Sequence, residues 1–180
     1  MRKLKLDELG RISVNEFKQA EKLPLIMILD NIRSLNNIGS LFRTADAFRI
    51  EKIYLTGFTA TPPHKDIHKT ALGATESVAW EYVERIEDLL ASLKENNIRI
   101  AAVEQTDEST MLQKFFPKPG EKWAFIFGNE VKGVSEEALP LVDLAIEIPQ
   151  FGTKHSFNVA VSAGIVLWDF TAKIKFGYHV

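Results

Sequence analysis

The chain contains no cysteine in its 180 residues. That excludes a disulfide framework and thiolate chemistry. It also lacks an excess of either charge. The 22 Lys/Arg stand against 24 Asp/Glu, a formal net charge of −2. This balance neither selects nor excludes a nucleic-acid partner, because a clustered basic face can exist on a neutral protein. Long hydrophobic runs are missing. The longest, residues 159–168, is interrupted by Ser162 and Gly164 and falls short of the roughly 20 residues a membrane span needs. The start, MRKLKLDELG, has no apolar segment of the kind a signal peptide carries. A cytoplasmic protein is expected.

Of the ten glycines, no two are separated by a single residue. There is therefore no G-x-G-x-x-G loop and no Walker loop. The G-x-S-x-G elbow of a serine hydrolase is missing too. A nucleotide-like cofactor would have to be held in another way. His64 and His68 stand four apart, but Lys65 occupies the place of a zincin glutamate and no third ligand is evident. No metal site is expected. Trp80, Tyr82, Trp123 and Trp168 fall in apolar elements and are expected to pack rather than to present stacking surfaces.

What is present is an alternation of strands and helices. Residues 1–23 form an N-terminal arm. Ser13 and Glu16 have capping-box spacing there, which predicts a short helix over residues 14–20. Strands are expected at 25–30, 52–57, 78–83, 98–104, 123–127 and 145–148. The run IHKTAL, closed by Gly73, the amphipathic RIEDLLASLKEN and a short MLQKFF turn are helical. Helices are also expected over 38–48, capped by Asn36 or Asn37, and after Ser135. The last, at 157–170, is apolar on nearly every side. The pattern predicts one α/β domain, residues 24–180, with a parallel sheet and helices on both faces. Ligands in such sheets sit beyond the carboxyl ends of the strands. The loops 31–37, 128–133 and 150–158 all follow strands, which groups them in one site.

Each loop carries polar residues with two readings. In NNIGSLFRTADAF, Asn37 and Arg43 lie near a helix N-terminal half that favours anions. They also fit a capping Asn followed by a surface Arg. Gly39 permits close backbone approach. In FIFGNEVKGVS, Gly128, Glu130 and Lys132 form either a site or a glycine turn with solvated charges. In IPQFGTKHSFNVA, Ser156 could cap the last helix while Asn158 is a buried amide.

Taken in order, NNIGSLFRTADAF, FIFGNEVKGVSEEAL and IPQFGTKHSFNVAVSAGI resemble motifs 1, 2 and 3 of the SpoU (TrmH-like) RNA ribose methyltransferases, with HKTALGATES similar to the segment between motifs 1 and 2. The resemblance runs from about Pro24 to the C-terminus. It implies a parallel sheet with a deep C-terminal trefoil knot over about residues 123–170. It implies S-adenosylmethionine as cofactor, contacted at Gly128, Ile148 and Phe157. It implies a homodimer with the last helix in the interface, where Ala160, Ala163 and Gly164 would allow close approach. The implied reaction is methyl transfer to a ribose 2′-hydroxyl of tRNA or rRNA, with no metal.

By motif match Arg43 is the central catalytic group. A free guanidinium is a poor base at neutral pH, so it is read as a phosphate anchor and alkoxide stabiliser, with a role as base left open. Asn37, Glu130, Ser156 and Asn158 orient it, the substrate or the cofactor. Arg33, Lys65, Lys132 and Lys154 are candidate RNA phosphate contacts on charge and loop position. Three residues depart from the pattern: Phe157 for Leu, Ala160 for Ser, and Arg49 for a Gly after the motif 1 helix. The last implies a different helix exit. The competing expectation is a non-catalytic RNA-binding or assembly factor on the same fold.

Overall fold

The strands form where the apolar runs lie. In the computed structural model, which describes residues 1–177, they are β1 Leu23–Asp30, β2 Ile50–Thr56, β3 Trp80–Val83, β4 Arg99–Val103, β5 Thr110–Met111, β6 Trp123–Phe127 and β7 Leu144–Glu147. They pair in the order β3-β2-β1-β6-β4-β7-β5, every pair parallel. Only β5 was not anticipated. Two residues carry no readable period, and pairing to the edge of β7 defines this strand.

Strand alternation splits the core into two layers. Leu25, Met27, Leu29, Phe125 and Phe127 point to one face and Ile26, Ile28, Ala124 and Ile126 to the other. The first face is covered by α2 (Leu35–Ala47), α3 (Lys65–Ala71) and α6 (Val159–Phe176), the second by α5 (Ile86–Glu95). The arm is not detached. Its helix α1 (Val14–Gln19) begins with the expected Ser13–Glu16 capping box and buries Phe17 in the first layer. A one-turn helix, α4 (Ala74–Ser77), completes that side.

Several helix ends differ from expectation. Ser34, not Asn36 or Asn37, caps α2, accepting from Asn37 N. Ser135 starts no regular helix. Pro140 lacks an N–H donor, and the segment contracts to turns and a 3-10 turn at Leu139–Leu141. Asn158 caps α6 through Ala160 N and Val161 N, so Ser156 stays outside the helix. The helix then continues beyond the expected Phe170 to Phe176. There Lys173 is buried, and its Nζ donates to Leu112 O and Phe115 O at 2.8 Å and to Asp169 at 2.6 Å. Burial holds the Asp169 carboxyl above its ordinary range despite that ion pair.

Arg49 overturns its expectation. It takes the left-handed conformation itself, φ 51, and its carbonyl accepts from Leu23 N. The turn is kept at the cost of strain that a Gly would avoid. Gly39 does what the motif suggests. A Cβ there would stand 2.3 Å from Ile67 O, so α2 and α3 touch through their backbones. Two aromatics expected to pack are open to solvent: Trp168 is 54 % exposed and Tyr82 43 %.

Candidate active site

The three loops that follow β1, β6 and β7 meet at the carboxyl end of the sheet. Their frame starts at Asp30, the buried last residue of β1. Its carboxylate accepts from Ser135 N and from Asn31 Nδ2, both at 2.8 Å. Asn129 crosses in the other direction, donating to Asn31 O at 2.7 Å while its Oδ1 accepts from Val131 N and Lys132 N. The turn closes by paired backbone bonds between Asn129 and Gly133. Gly128 is needed for this closure, because a Cβ on it would lie 2.2 Å from Gly133 C and Val134 N. Val134, directly after the turn, donates its N–H to Glu104, the residue that follows β4.

Glu130 joins this turn to the loop after β1. Its carboxylate accepts from Arg33 N and Ser34 N at 3.0 Å and from Asn37 Nδ2 at 2.9 Å. Partial burial works against its charge, but these donors outweigh it and hold its carboxyl below the ordinary range. Asn37 Oδ1 in turn accepts from Asn158 Nδ2 at 3.2 Å. The turn after β6, the first turn of α2 and the cap of α6 therefore form one continuous polar line, Glu130–Asn37–Asn158. Asn158 spends its other end on capping α6, which fixes the amide's direction.

Beside this line lies a cavity of about 550 Å³, walled by the ends of β4, β6 and β7 and by residues of loops 128–136 and 147–157. That size suits a small-molecule ligand. Gly128, Ile148 and Phe157 all line it, with Ile146 and Leu139 on the apolar side and Glu104, Glu136 and Glu147 supplying negative charge.

Residues 24–168 match the SpoU rRNA methylase family. The chain belongs to that family. It is 34 % identical over 144 residues to the 23S rRNA (guanosine-2′-O-)-methyltransferase RlmB of Neisseria meningitidis serogroup B, a match covering 80 % of this chain and 56 % of that protein. The chain thus spans about half the length of this curated relative. Among solved structures, the TrmH/SpoU tRNA modifying enzyme of Aquifex aeolicus superposes with a TM-score of 0.79 at 24 % identity, over 89 % of this chain and 81 % of that one. An AdoMet-bound rRNA methyltransferase from Sinorhizobium meliloti gives a TM-score of 0.78 at 23 % identity, over 86 % and 59 %. These two share the fold, the SPOUT fold, of which a trefoil knot is characteristic.

Within this SpoU chain the candidate residues separate into groups. Asn37, Glu130 and Asn158 are joined directly. Gly128, Ile148, Phe157, Ser156 and Lys132 share the cavity wall with Glu130. Arg43 is exposed on α2, six residues past Asn37, and is not part of that wall. Arg33, Lys65 and Lys154 are exposed as well, and none of these cations has an ion pair among the described residues. His64 caps α3, accepting from Asp66 N, rather than sharing a helical face with His68.

The sequence reading missed Asp30, Asn129, Glu104 and Ser34. Asp30 had left a signal: a single carboxylate closing the apolar run LIMILD. Asn129 had one too, directly after Gly128. Glu104 acts on Val134 N, which only the folded loops bring near it, whereas Ser34 had the local signal of a cap three residues before Asn37.

Proposed function

We propose that this protein transfers a methyl group from S-adenosylmethionine to a ribose 2′-hydroxyl of tRNA or rRNA. The observation that carries the reading is the polar line Glu130–Asn37–Asn158 running beside the cavity walled by Gly128, Ile148 and Phe157. The cavity fits the cofactor. Its apolar wall suits an adenine ring, and its carboxylates suit a cationic sulfonium and ammonium. When bound, the cofactor supplies an electrophilic methyl group whose bond to sulfur breaks as the bond to the ribose oxygen forms. The hydroxyl proton passes to a nearby acceptor or to water.

The chain's own groups orient that displacement. Glu130 holds the backbone of Arg33 and Ser34 and fixes Asn37. Asn37 and Asn158 thereby present fixed dipoles where a ribose would lie. Alignment of oxygen, methyl and sulfur supplies much of the acceleration. Arg43 serves as phosphate anchor and stabiliser of the developing alkoxide. Ser156, on the cavity rim, contacts cofactor or substrate. Arg33, Lys65, Lys132 and Lys154 take RNA phosphates.

Arg43 stands outside the cavity wall of its own chain, and α6 exposes Val161, Trp168 and Phe176 beside α2. A homodimer docked on this face buries those side chains and brings Arg43 to the site. The structure leaves open space at Gly164 for such an approach, whereas Ala163 is spent on the core. The domain division at residue 23 and a knot over about 123–170 belong to the same reading. So does action in the cytoplasm, where RNA substrates are met; among the described residues no helix is long and apolar enough to cross a membrane.

The test is methyl transfer from labelled S-adenosylmethionine to unmodified total tRNA and rRNA, followed by nucleoside mass spectrometry. A 2′-O-methylated nucleoside is expected. Cofactor binding without any such product would sink the enzymatic reading and favour an RNA-binding or assembly factor.

A further inference from the structure

Phe58 is 62 % exposed, yet the backbone that carries it is tied down on every side. Gly57 adopts φ 60, and a Cβ there would fall 2.1 Å from Asn31 Oδ1. That same oxygen accepts from Phe58 N at 3.2 Å. Gly57 N donates to Glu84 O, and the Tyr82 hydroxyl donates to Gly57 O at 2.8 Å. On the other side Thr59 is buried, its Oγ1 donating to Leu29 O and accepting from Ile32 N, both at 2.9 Å. An aromatic ring left in water forgoes the gain of burial. Its backbone, however, has already given up the freedom that binding would otherwise cost it.

Its place gives the ring a use. Asn31, which holds Phe58 N, also donates to Asp30 and accepts from Asn129 through its carbonyl, so the Phe58 turn is built on the frame of the candidate site. Arg33 lies two residues further on. Its N–H is held by Glu130, and its side chain is exposed with no ion pair among the described residues. A lone ring whose flanking Thr56 and Thr59 are buried is too small a patch for stable protein docking. An exposed aromatic side chain on a fixed backbone, with a cation that has no ion pair among the described residues on the neighbouring loop after β1, offers what an unpaired nucleotide needs: stacking for the base, charge for the phosphate.

We infer that Phe58 is a stacking platform for an unpaired base of the RNA, near the nucleotide delivered to the cavity, and that Tyr82 is a positioning residue that holds the platform. The inference rests on RNA being the substrate, as proposed above. A ribose that enters the cavity mouth must leave any helical stack, which frees a neighbouring base for Phe58 while Arg33 holds the adjoining phosphate.

The test uses the full chain, with RNA binding measured by anisotropy on labelled oligoadenylate, oligouridylate and total unmodified tRNA. Methyl transfer to the same tRNA is measured in parallel. Phe58→Ala should weaken RNA binding about tenfold to a hundredfold, raise KM for RNA and leave kcat and cofactor affinity unchanged. Oligoadenylate, which stacks more strongly, should lose more than oligouridylate. Phe58→Trp should retain affinity, and Phe58→Leu should fail like the Ala variant. Tyr82→Phe should show a smaller rise in KM with unchanged kcat. The binding arm decides the platform whether or not transfer is detected, so failure of the enzymatic reading is seen separately. Unchanged RNA affinity in Phe58→Ala, or full affinity in Phe58→Leu, overturns the inference. Loss of self-association with unchanged RNA affinity would assign the ring to a contact between copies and overturn it equally.

Discussion

The two ends of the sheet use their charges in opposite ways. At the amino end, Lys52 pairs with Glu81 at 2.6 Å, Lys122 with Glu51 at 2.7 Å and Arg99 with Asp143 at 3.3 Å. At the carboxyl end, Arg33, Lys132 and Lys154 have no ion pair among the described residues, while Glu130, Glu104 and Asp30 spend their carboxylates on backbone N–H groups. The amino-end cleft is the larger, about 1050 Å³ against about 550 Å³. Size therefore does not mark the site. What marks it is that carboxylates rigidify the loops and leave the cations available for a ligand from outside. Paired surface charges at the other end neutralise one another.

Substitutions can break this contrast. The largest effect is expected from Arg43→Ala. It should lower the rate of methyl transfer by about a hundredfold to a thousandfold with cofactor affinity nearly unchanged, read by single-turnover kinetics and calorimetry. A large loss of cofactor binding would mean that its role is misassigned. Gly128→Val attacks the frame instead. Its side chain would strike the backbone of Gly133 and Val134, so a loss of about 1–3 kcal/mol of stability and of cofactor binding is expected in thermal melts and titration. Wild-type melting would show that the turn yields freely.

Glu130 offers a pH test. Its carboxyl is held below the ordinary value in the folded chain, so the unfolded chain binds its proton at higher pH than the folded one. Its stabilisation is fully present above the unfolded value, near pH 4.3, and is lost as pH falls through the folded one. The melting temperature of Glu130→Gln should thus lie below wild type at neutral pH and converge with it in acid. Parallel curves would remove the carboxylate from the frame.

At the amino end the effects should be smaller. Arg49→Gly relieves a left-handed φ and should raise stability by about 1 kcal/mol; a loss would mean that the Arg side chain contributes more than its backbone costs. Lys122→Ala breaks an exposed pair and should cost about 0–1 kcal/mol without altering methyl transfer. A drop in transfer there would erase the distinction between the two ends.

Much of the candidate site's geometry was legible because the residues come in three ordered blocks after strands. Asn37, Glu130 and Asn158 were named from those blocks, and Gly128, Ile148 and Phe157 fell on one cavity wall. What misled was local chemistry read one residue at a time. Ser34 caps α2 although two Asn follow it, because Asn37 is engaged by Glu130 and Asn158. Ser156 looked like a helix cap, but Asn158 fills that position. Trp168 and Tyr82 sit in apolar elements, yet among the described residues no further layer covers them.

The sequence by itself determined the alternation of strands and helices, the parallel class of the sheet and the order of the motif blocks. Those depend on period and on residues close in the chain. Tertiary structure alone decided that Glu130 meets Arg33, Ser34 and Asn37 across more than 90 residues, which cations have no ion pair among the described residues, and that Phe58 stands in water on a fixed backbone. Each of these depends on which groups satisfy one another in space. A buried or half-buried polar group takes the partner the fold supplies, and that partner is set by loop approach rather than by spacing.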